Sequence, residues 1–147
     1  MSVPIVQIAE VAVVVTDLER SVKFYHEVMG LPIWEREKDH ATLRIGNGFV
    51  GLWLPGAWRL PPSANSAPIA LDGGNRQHFN FWIHKQDAEA ALENLKQHGV
   101  KYYGPRYNKR GEMHVDFEDP DGHMLEYWAR DSFGPPPEKD ASAEMTS

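Results

Sequence analysis

Residues 11–31 read VAVVVTDLERSVKFYHEVMGL, a β-branched run that passes into a helical pattern. With the apolar residues before it, the run predicts a buried strand over residues 5–15. The quartet that follows, TDLE, has the form of a capping box, in which Thr16 begins a helix. Gly30 is the type of residue at which such a helix ends. The stretch therefore predicts one strand followed by one helix.

The same order of elements occurs twice along the chain. Strand patterns follow the first helix at residues 32–37, 41–45 and 49–54. The order then repeats with a strand pattern at residues 77–84 and a helix that begins at Asp87. Three more strand patterns follow at residues 100–103, 113–117 and 123–129. The predicted fold class is therefore α+β, built from two βαβββ modules.

The predicted organisation is a single domain over residues 1–131. Module one covers residues 5–54 and module two covers residues 77–130. The linker loop between them, residues 55–76, is rich in proline and glycine. Residues 132–147 are polar and aperiodic, which predicts a disordered tail.

Composition narrows the classes of partner. The formal net charge is −6 and there is no basic run, which argues against nucleic-acid binding. There is no cysteine, which excludes disulfides and thiolate ligands and fits a reducing compartment. The first residues lack a secretory pattern, and the longest apolar run near them is too short to span a bilayer. These features predict a cytoplasmic protein without a membrane partner.

Two motifs give the chain a family resemblance. Residues 11–21 with Phe24, Tyr25 and Gly30, and the closing segment FEDPDGHMLE at residues 117–126, resemble the glyoxalase/bleomycin resistance/extradiol dioxygenase superfamily, also called vicinal oxygen chelate proteins. The resemblance covers about residues 5–130. It implies two βαβββ modules whose sheets curl around a concave site, and a homodimer that shares the site between chains. It does not name the reaction, because one fold hosts many activities.

The resemblance also implies metal ligands on the first and last strand of each module. Carried over, those positions are Glu10, either Gly51 or Leu52, His78 and Glu126. His78 and Glu126 match the family pattern, whereas Glu10 stands where histidine or glutamine is commoner. The remaining position offers no donor atom, so the implied metal ligands are Glu10, His78 and Glu126.

Such a three-ligand centre would hold one divalent metal ion and leave positions for water or substrate. Two carboxylates and one imidazole favour Mn²⁺ or Mg²⁺, with Fe²⁺ and Zn²⁺ also compatible. Glu10 has a plainer alternative role, which is to pair with Arg44 or another cation. His78, which is followed by Phe79 and Phe81, is alternatively a structural histidine.

Strand alternation predicts which side chains border this centre. The faces that carry His78 and Glu126 also carry polar and aromatic residues, and Asp116 is predicted to face the same cavity. Arg44 is a candidate for binding an anionic group of a substrate. The predicted substrate-binding residues are Arg44, Asn80, Trp82, His114 and Trp128.

The leading functional hypothesis is a divalent-metal-dependent enzyme that acts on a small oxygenated molecule by bidentate chelation. Glyoxalase-type lyase or isomerase chemistry is favoured, with Glu10 or Glu126 as the catalytic carboxylate that moves a proton. The alternatives are an extradiol-type dioxygenase and a non-catalytic, bleomycin-resistance-like drug-binding protein. Asp116 stands where the dioxygenases carry a tyrosine, which disfavours the former. Fosfomycin-modifying enzymes also resemble the chain, but their potassium-binding loop is not recognisable at residues 107–112.

Overall fold

The computed structural model describes residues 3–57, 78–133 and 145–146. The chain divides into two compact units, Met1–Ile69 and Ala70–Ser147, each of which contains one module. The division falls within the predicted linker, of which residues 58–76 lie outside the described residues.

Module one begins with strand β1, Glu10–Val14, and helix α1, Leu18–Lys23, which continues as a π-helical turn over Phe24–Val28. Three strands follow: β2 at Ile33–Arg36, β3 at His40–Ile45 and β4 at Gly48–Trp53. The sheet order is β1-β4-β3-β2. β1 is parallel to β4, and the other neighbours are antiparallel.

The start of α1 differs from the prediction by one residue. The N-cap is Asp17, whose Oδ1 accepts a hydrogen bond from the backbone N–H of Arg20 at 3.0 Å. Thr16, predicted to be the cap, instead accepts a hydrogen bond from the Arg20 guanidinium. Both side chains can cap a helix, so the local pattern alone does not distinguish them.

Module two repeats this order. β5 at His78–His84 leads through a 3₁₀ turn, Lys85–Asp87, into helix α2 at Ala88–Gln97. The strands β6, β7 and β8 follow at Tyr102–Asn108, Met113–Glu118 and Met124–Arg130. The sheet order is β5-β8-β7-β6, with β5 parallel to β8. In the segment for which the sequence predicts disorder, Met145–Thr146 form a short strand, β9, beside β6.

The α+β fold of two βαβββ modules is thus confirmed. Because β1, β4 and β3 pair in the same registers as β5, β8 and β7, residues of one sheet can be matched to residues of the other. In module one, Ala12 on β1 pairs with Gly51 on β4, which pairs with Thr42 on β3. In module two, Asn80, Glu126 and Asp116 pair in the same way. Position 51 in module one therefore corresponds to position 126 in module two.

Alternation along the strands separates the core from the site. On β8, Leu125 and Ala129 are fully buried, and Phe117 on β7 is fully buried as well. Glu126 and Trp128 lie on the opposite face of the sheet, because successive strand side chains point to opposite faces. Among the described residues, no helix is both long and apolar enough to cross a bilayer.

Candidate metal centre

Three side chains of module two converge on one point. His78 is the first residue of β5, and Asp116 and Glu126 are register partners on β7 and β8. His78 Nε2 lies 3.0 Å from Glu126 Oε2 and 3.6 Å from Asp116 Oδ1. One ligand atom from each of the three residues lies within 4.8 Å of the others. The structure therefore brings two of the predicted metal ligands, His78 and Glu126, together with a further carboxylate.

The donor set fits a divalent cation. An imidazole nitrogen and carboxylate oxygens are common ligands of Mn²⁺, Fe²⁺ and Zn²⁺. Each of the three residues offers one such atom to the same point. The His78 side chain is 48% exposed and the Glu126 side chain only 8% exposed. The cluster is thus buried at Glu126 and accessible to solvent at His78.

The environment of Glu126 favours the charged form that a ligand needs. Burial by itself raises the pKa of its carboxyl group, but the hydrogen bond and charge of His114 and the charges of His78 and Arg106 outweigh it. The net effect is a pKa below the usual value. Glu126 is therefore ionised at neutral pH, as metal binding requires.

Asp116 was not assigned to the metal site from sequence. Arg106 Nη2 donates a hydrogen bond to Asp116 Oδ2 at 2.7 Å, which leaves Oδ1 as the atom nearest His78. The available signal was the hairpin register, because the turn that begins at Asp119 sets Asp116 opposite Glu126. Arg106 therefore adds a positive charge beside the cluster.

Two of the predicted substrate-binding residues form a stack beside Glu126, on the same face of the sheet. His114 is 7% exposed, and its Nδ1 lies 2.5 Å from Glu126 Oε1. Its ring stacks on Trp128, with centroids 4.9 Å apart and planes 28° apart. Trp128 Nε1 donates to Glu112 Oε2 at 3.0 Å. The buried His114 Nε2 has no hydrogen-bond partner within the described ranges.

The other predicted substrate-binding residues are more open. Asn80 is exposed on β5 beside Glu126, and Trp82 is 40% exposed. The guanidinium carbon of Arg130 lies 4.7 Å from the centre of the Trp82 ring. Arg44 is exposed on β3 of module one. A role of these side chains in binding substrate stays a prediction.

Module one carries Glu10 and an empty counterpart of Glu126. Its register identifies that counterpart as Gly51 rather than Leu52. A Cβ atom at position 51 would collide with Glu10 Oε1 and Trp53 Nε1, so the glycine makes room for both side chains. Glu10 is exposed and borders a cavity of about 250 Å³ that Ile8 and Phe49 also line. Metal binding by Glu10 stays a prediction.

Comparison with known proteins relates this chain to a family. The model of the Glyoxalase/Bleomycin resistance protein/Dioxygenase superfamily matches residues 7–127. The chain is 33% identical over 112 residues to the glutathione transferase FosA of Serratia marcescens, covering 76% of this chain and 72% of that protein. It is 32% identical over 118 residues to a lactoylglutathione lyase of Neisseria meningitidis, covering 77% and 83%.

Solved structures agree on the fold. The crystal structure of a lactoylglutathione lyase from Agrobacterium tumefaciens aligns with a TM-score of 0.70 at 21% identity. The alignment covers 87% of this chain and 96% of that one. At this identity, the likeness concerns the fold and not the reaction.

Proposed function

Since this chain belongs to the Glyoxalase/Bleomycin resistance protein/Dioxygenase superfamily, we propose that it is a divalent-metal-dependent enzyme acting on a small oxygenated molecule by bidentate chelation. The relatives described above, a glutathione transferase and a lactoylglutathione lyase, are by name enzymes that act on small molecules. Within that range, lyase or isomerase chemistry of the glyoxalase type is the reaction we favour.

The observation that carries the proposal is the convergence of His78, Glu126 and Asp116 on one point of the second sheet. A buried, ionised carboxylate costs free energy unless it has charged partners or a metal. Glu126 lies next to the half-exposed ring of His78, which no core-packing role requires. The half-exposed His78 ring leaves this carboxylate reachable from solvent, which supports a binding site at this point.

In this proposal His78 and Glu126 hold the ion, with Glu10 as the third ligand and Asp116 as a carboxylate in reach. A bound divalent ion would supply Lewis acidity and open positions for two neighbouring substrate oxygens. Both carboxylate oxygens of Glu126 have close partners, which favours a fixed ligand role over a mobile one. The exposed Glu10 is the better candidate for moving a proton, and Glu126 the second.

The surrounding residues would select the substrate. Arg106, already beside the cluster, offers donors to an anionic substrate group, and Arg44 is the sequence-assigned candidate for the same task. Asn80 and Trp82 would form a partly polar, partly aromatic wall. His114 and Trp128 would lie at the base.

Two other functions remain as alternatives within the proposal. The relationship to FosA, whose name describes a glutathione transferase, favours transfer of a thiol to a small molecule over a dioxygenase reaction. The aromatic residues Trp82 and Trp128 would equally suit a non-catalytic protein that binds a drug. Metal dependence separates the enzymes from the binding protein.

The test begins with calorimetric titration of Mn²⁺, Fe²⁺, Zn²⁺ and Mg²⁺ into chelator-treated protein, with His78→Ala as the comparison variant. Activity assays then follow with the preferred metal. They measure lactoylglutathione formation, consumption of glutathione with fosfomycin, and oxygen uptake with catechols.

We expect at least one divalent metal to bind to the native protein and to restore turnover in one assay, and H78A to lose both. The absence of binding by every metal would contradict the proposal. Drug binding that persists unchanged in H78A without turnover would support the binding protein instead. Light scattering of the same samples tests the proposed homodimer.

A further inference from the structure

The Oε1 atom of Glu126 has a hydrogen-bonding partner outside the cluster of His78, Asp116 and Glu126. We infer that His114 is a positioning residue, which holds the Glu126 carboxylate in the orientation that binds the metal. The inference rests on the proposed function, because it assigns His114 a task only if Glu126 is a ligand. Its basis is the contact of 2.5 Å between His114 Nδ1 and Glu126 Oε1.

The direction of this hydrogen bond follows from the chemistry of the two groups. An ionised carboxylate only accepts hydrogen bonds, so His114 Nδ1 is the donor. Glu126 Oε1 is then engaged by His114, and Oε2 remains beside His78 Nε2 at 3.0 Å. The hydrogen bond thereby fixes one carboxylate oxygen, and the other oxygen is directed to the metal site.

The hydrogen bond to Glu126 is what a histidine supplies at this position. His114 is 7% exposed, and its Nε2 atom has no hydrogen-bond partner within the described part of the chain. A buried polar atom without a partner is destabilising. A phenylalanine would fill similar space without that penalty, but it could not donate to Glu126.

Module one supplies an internal comparison. His40 pairs with Trp53 in the register in which His114 pairs with Trp128. The rings of His40 and Trp53 also stack, with centroids 4.3 Å apart and planes 5° apart. The histidine–tryptophan stack is therefore a shared feature of the repeat.

Module two differs in the hydrogen bond from its histidine, His114, to the carboxylate of Glu126 on the neighbouring strand. In module one the position of Glu126 is taken by Gly51, which offers no acceptor side chain. His40 Nδ1 lies 2.9 Å from Asp39 Oδ1, an adjacent residue on the chain, and the His40 side chain is 19% exposed. The contact between His114 and Glu126 thus coincides with the presence of the ligand carboxylate.

The stack keeps His114 in place. One end of Trp128 is fixed by the hydrogen bond from its Nε1 to Glu112, and its ring face supports His114. Outer partners of metal ligands typically contribute about 10- to 100-fold to metal affinity. We expect His114 to contribute an effect of this size.

The experiment compares His114→Phe and His114→Asn in the full-length, chelator-treated protein, with His40→Phe as the matched control. H114F keeps an aromatic ring on Trp128 but has no donor. H114N lacks the ring but keeps an N–H donor near the position of Nδ1. Mn²⁺ affinity is measured by calorimetry, the absorption spectrum of bound Co²⁺ reports the ligand geometry, and thermal unfolding in chelator checks the fold.

H114F is expected to raise the Kd for Mn²⁺ by about 10- to 100-fold and to change the Co²⁺ spectrum. H114N is expected to recover most of that loss, and H40F to leave both readouts as in the native protein. Should H114F not fold, His114→Leu takes its place against H114N. The donor-carrying variant should then bind Mn²⁺ at least about 10-fold more tightly.

Native-like Mn²⁺ affinity in H114F, equal losses in H114F and H40F, or equal affinities of H114N and H114L would each overturn the inference while leaving the metal site intact. A native protein that binds no metal, or an H78A variant that binds as well as the native protein, would overturn the proposed function and this inference with it.

Discussion

The two modules share a backbone plan but carry different side chains at matched positions. Module two has Glu126 and Asp116 side by side on neighbouring strands, where module one has Gly51 and Thr42. The first residue of the leading strand is His78 in one and Glu10 in the other. The repeat therefore supplies the same backbone plan twice, and among the described residues the cluster of His78, Asp116 and Glu126 occurs in module two.

The difference teaches which features belong to the frame and which to the site. The stack of histidine on tryptophan occurs in both modules, so it belongs to the frame. The buried carboxylate with charged partners occurs in module two alone among the described residues. In module one, the space beside the glycine is filled by the side chain of Glu10.

The largest effect is expected from removing one histidine from each module. His78→Ala should weaken Mn²⁺ binding by more than about 100-fold, because even an outer partner of a ligand contributes 10- to 100-fold. His40→Ala, the control from module one, should leave the affinity unchanged. Calorimetric titration of both variants makes the measurement. Equal Mn²⁺ affinities of H78A and H40A would show that the two modules do not differ in metal binding.

The next effect concerns Glu112, which supports the stack in module two. Burial raises the pKa of its carboxyl group, but hydrogen bonds from Arg110, Asn108 and Trp128 lower it to about 2 overall. The folded pKa lies below the unfolded value, so this stabilisation is complete above about pH 5 and is lost as the pH falls towards 2. It should shrink by about 2 kcal/mol between pH 6 and pH 3.

Urea unfolding at these two pH values checks this for the native protein and for Glu112→Gln. The pH dependence of E112Q should be flatter than that of the native protein by the same amount. Lys38 stands two residues before His40, as Glu112 stands two before His114, so Lys38→Gln is the matched control. Parallel curves for the native protein and E112Q would show that Glu112 does not distinguish the modules.

A smaller effect is expected from a side chain at the empty position of module one. Gly51→Ala should lower the free energy of unfolding by about 1 to 3 kcal/mol, because its Cβ would displace the Glu10 carboxylate and press on the Trp53 ring. In a Glu10→Ala background, the loss should be smaller by at least about 0.5 kcal/mol. Urea unfolding of the four proteins in this cycle measures the coupling. Strict additivity would mean that Glu10 does not occupy the space beside Gly51.

The smallest effect is expected from the exposed ion pair between Glu19 and Arg36 in module one. The two side chains are 79% and 41% exposed, so solvent screens their attraction. Glu19→Gln should change the free energy of unfolding by less than about 0.5 kcal/mol. A loss well above that in denaturant unfolding would show that module one depends on a charge network as module two does.

Much of the frame could be predicted from the sequence, because the strand–helix–strand order is written in local patterns. His78 and Glu126 could be predicted because they lie in matched family motifs. Strand alternation and hairpin register place Asp116 and His114 on the same face as Glu126, but their side-chain contacts could not be predicted, since those depend on rotamers. The sequence also did not identify the cap of α1, because threonine and aspartate are both common N-cap residues and Thr16 and Asp17 are adjacent.

The central claim is that module two holds a divalent ion through His78 and Glu126. Crystals grown with Mn²⁺, measured near the manganese absorption edge, test it most directly. An anomalous peak about 2.0 to 2.3 Å from His78 Nε2 and from a Glu126 carboxylate oxygen is the predicted result. The same map would show whether Glu10 or Asp116 completes the site. A well-ordered His78–Glu126 pair with no peak beside it, or a peak bound only elsewhere, would contradict the claim.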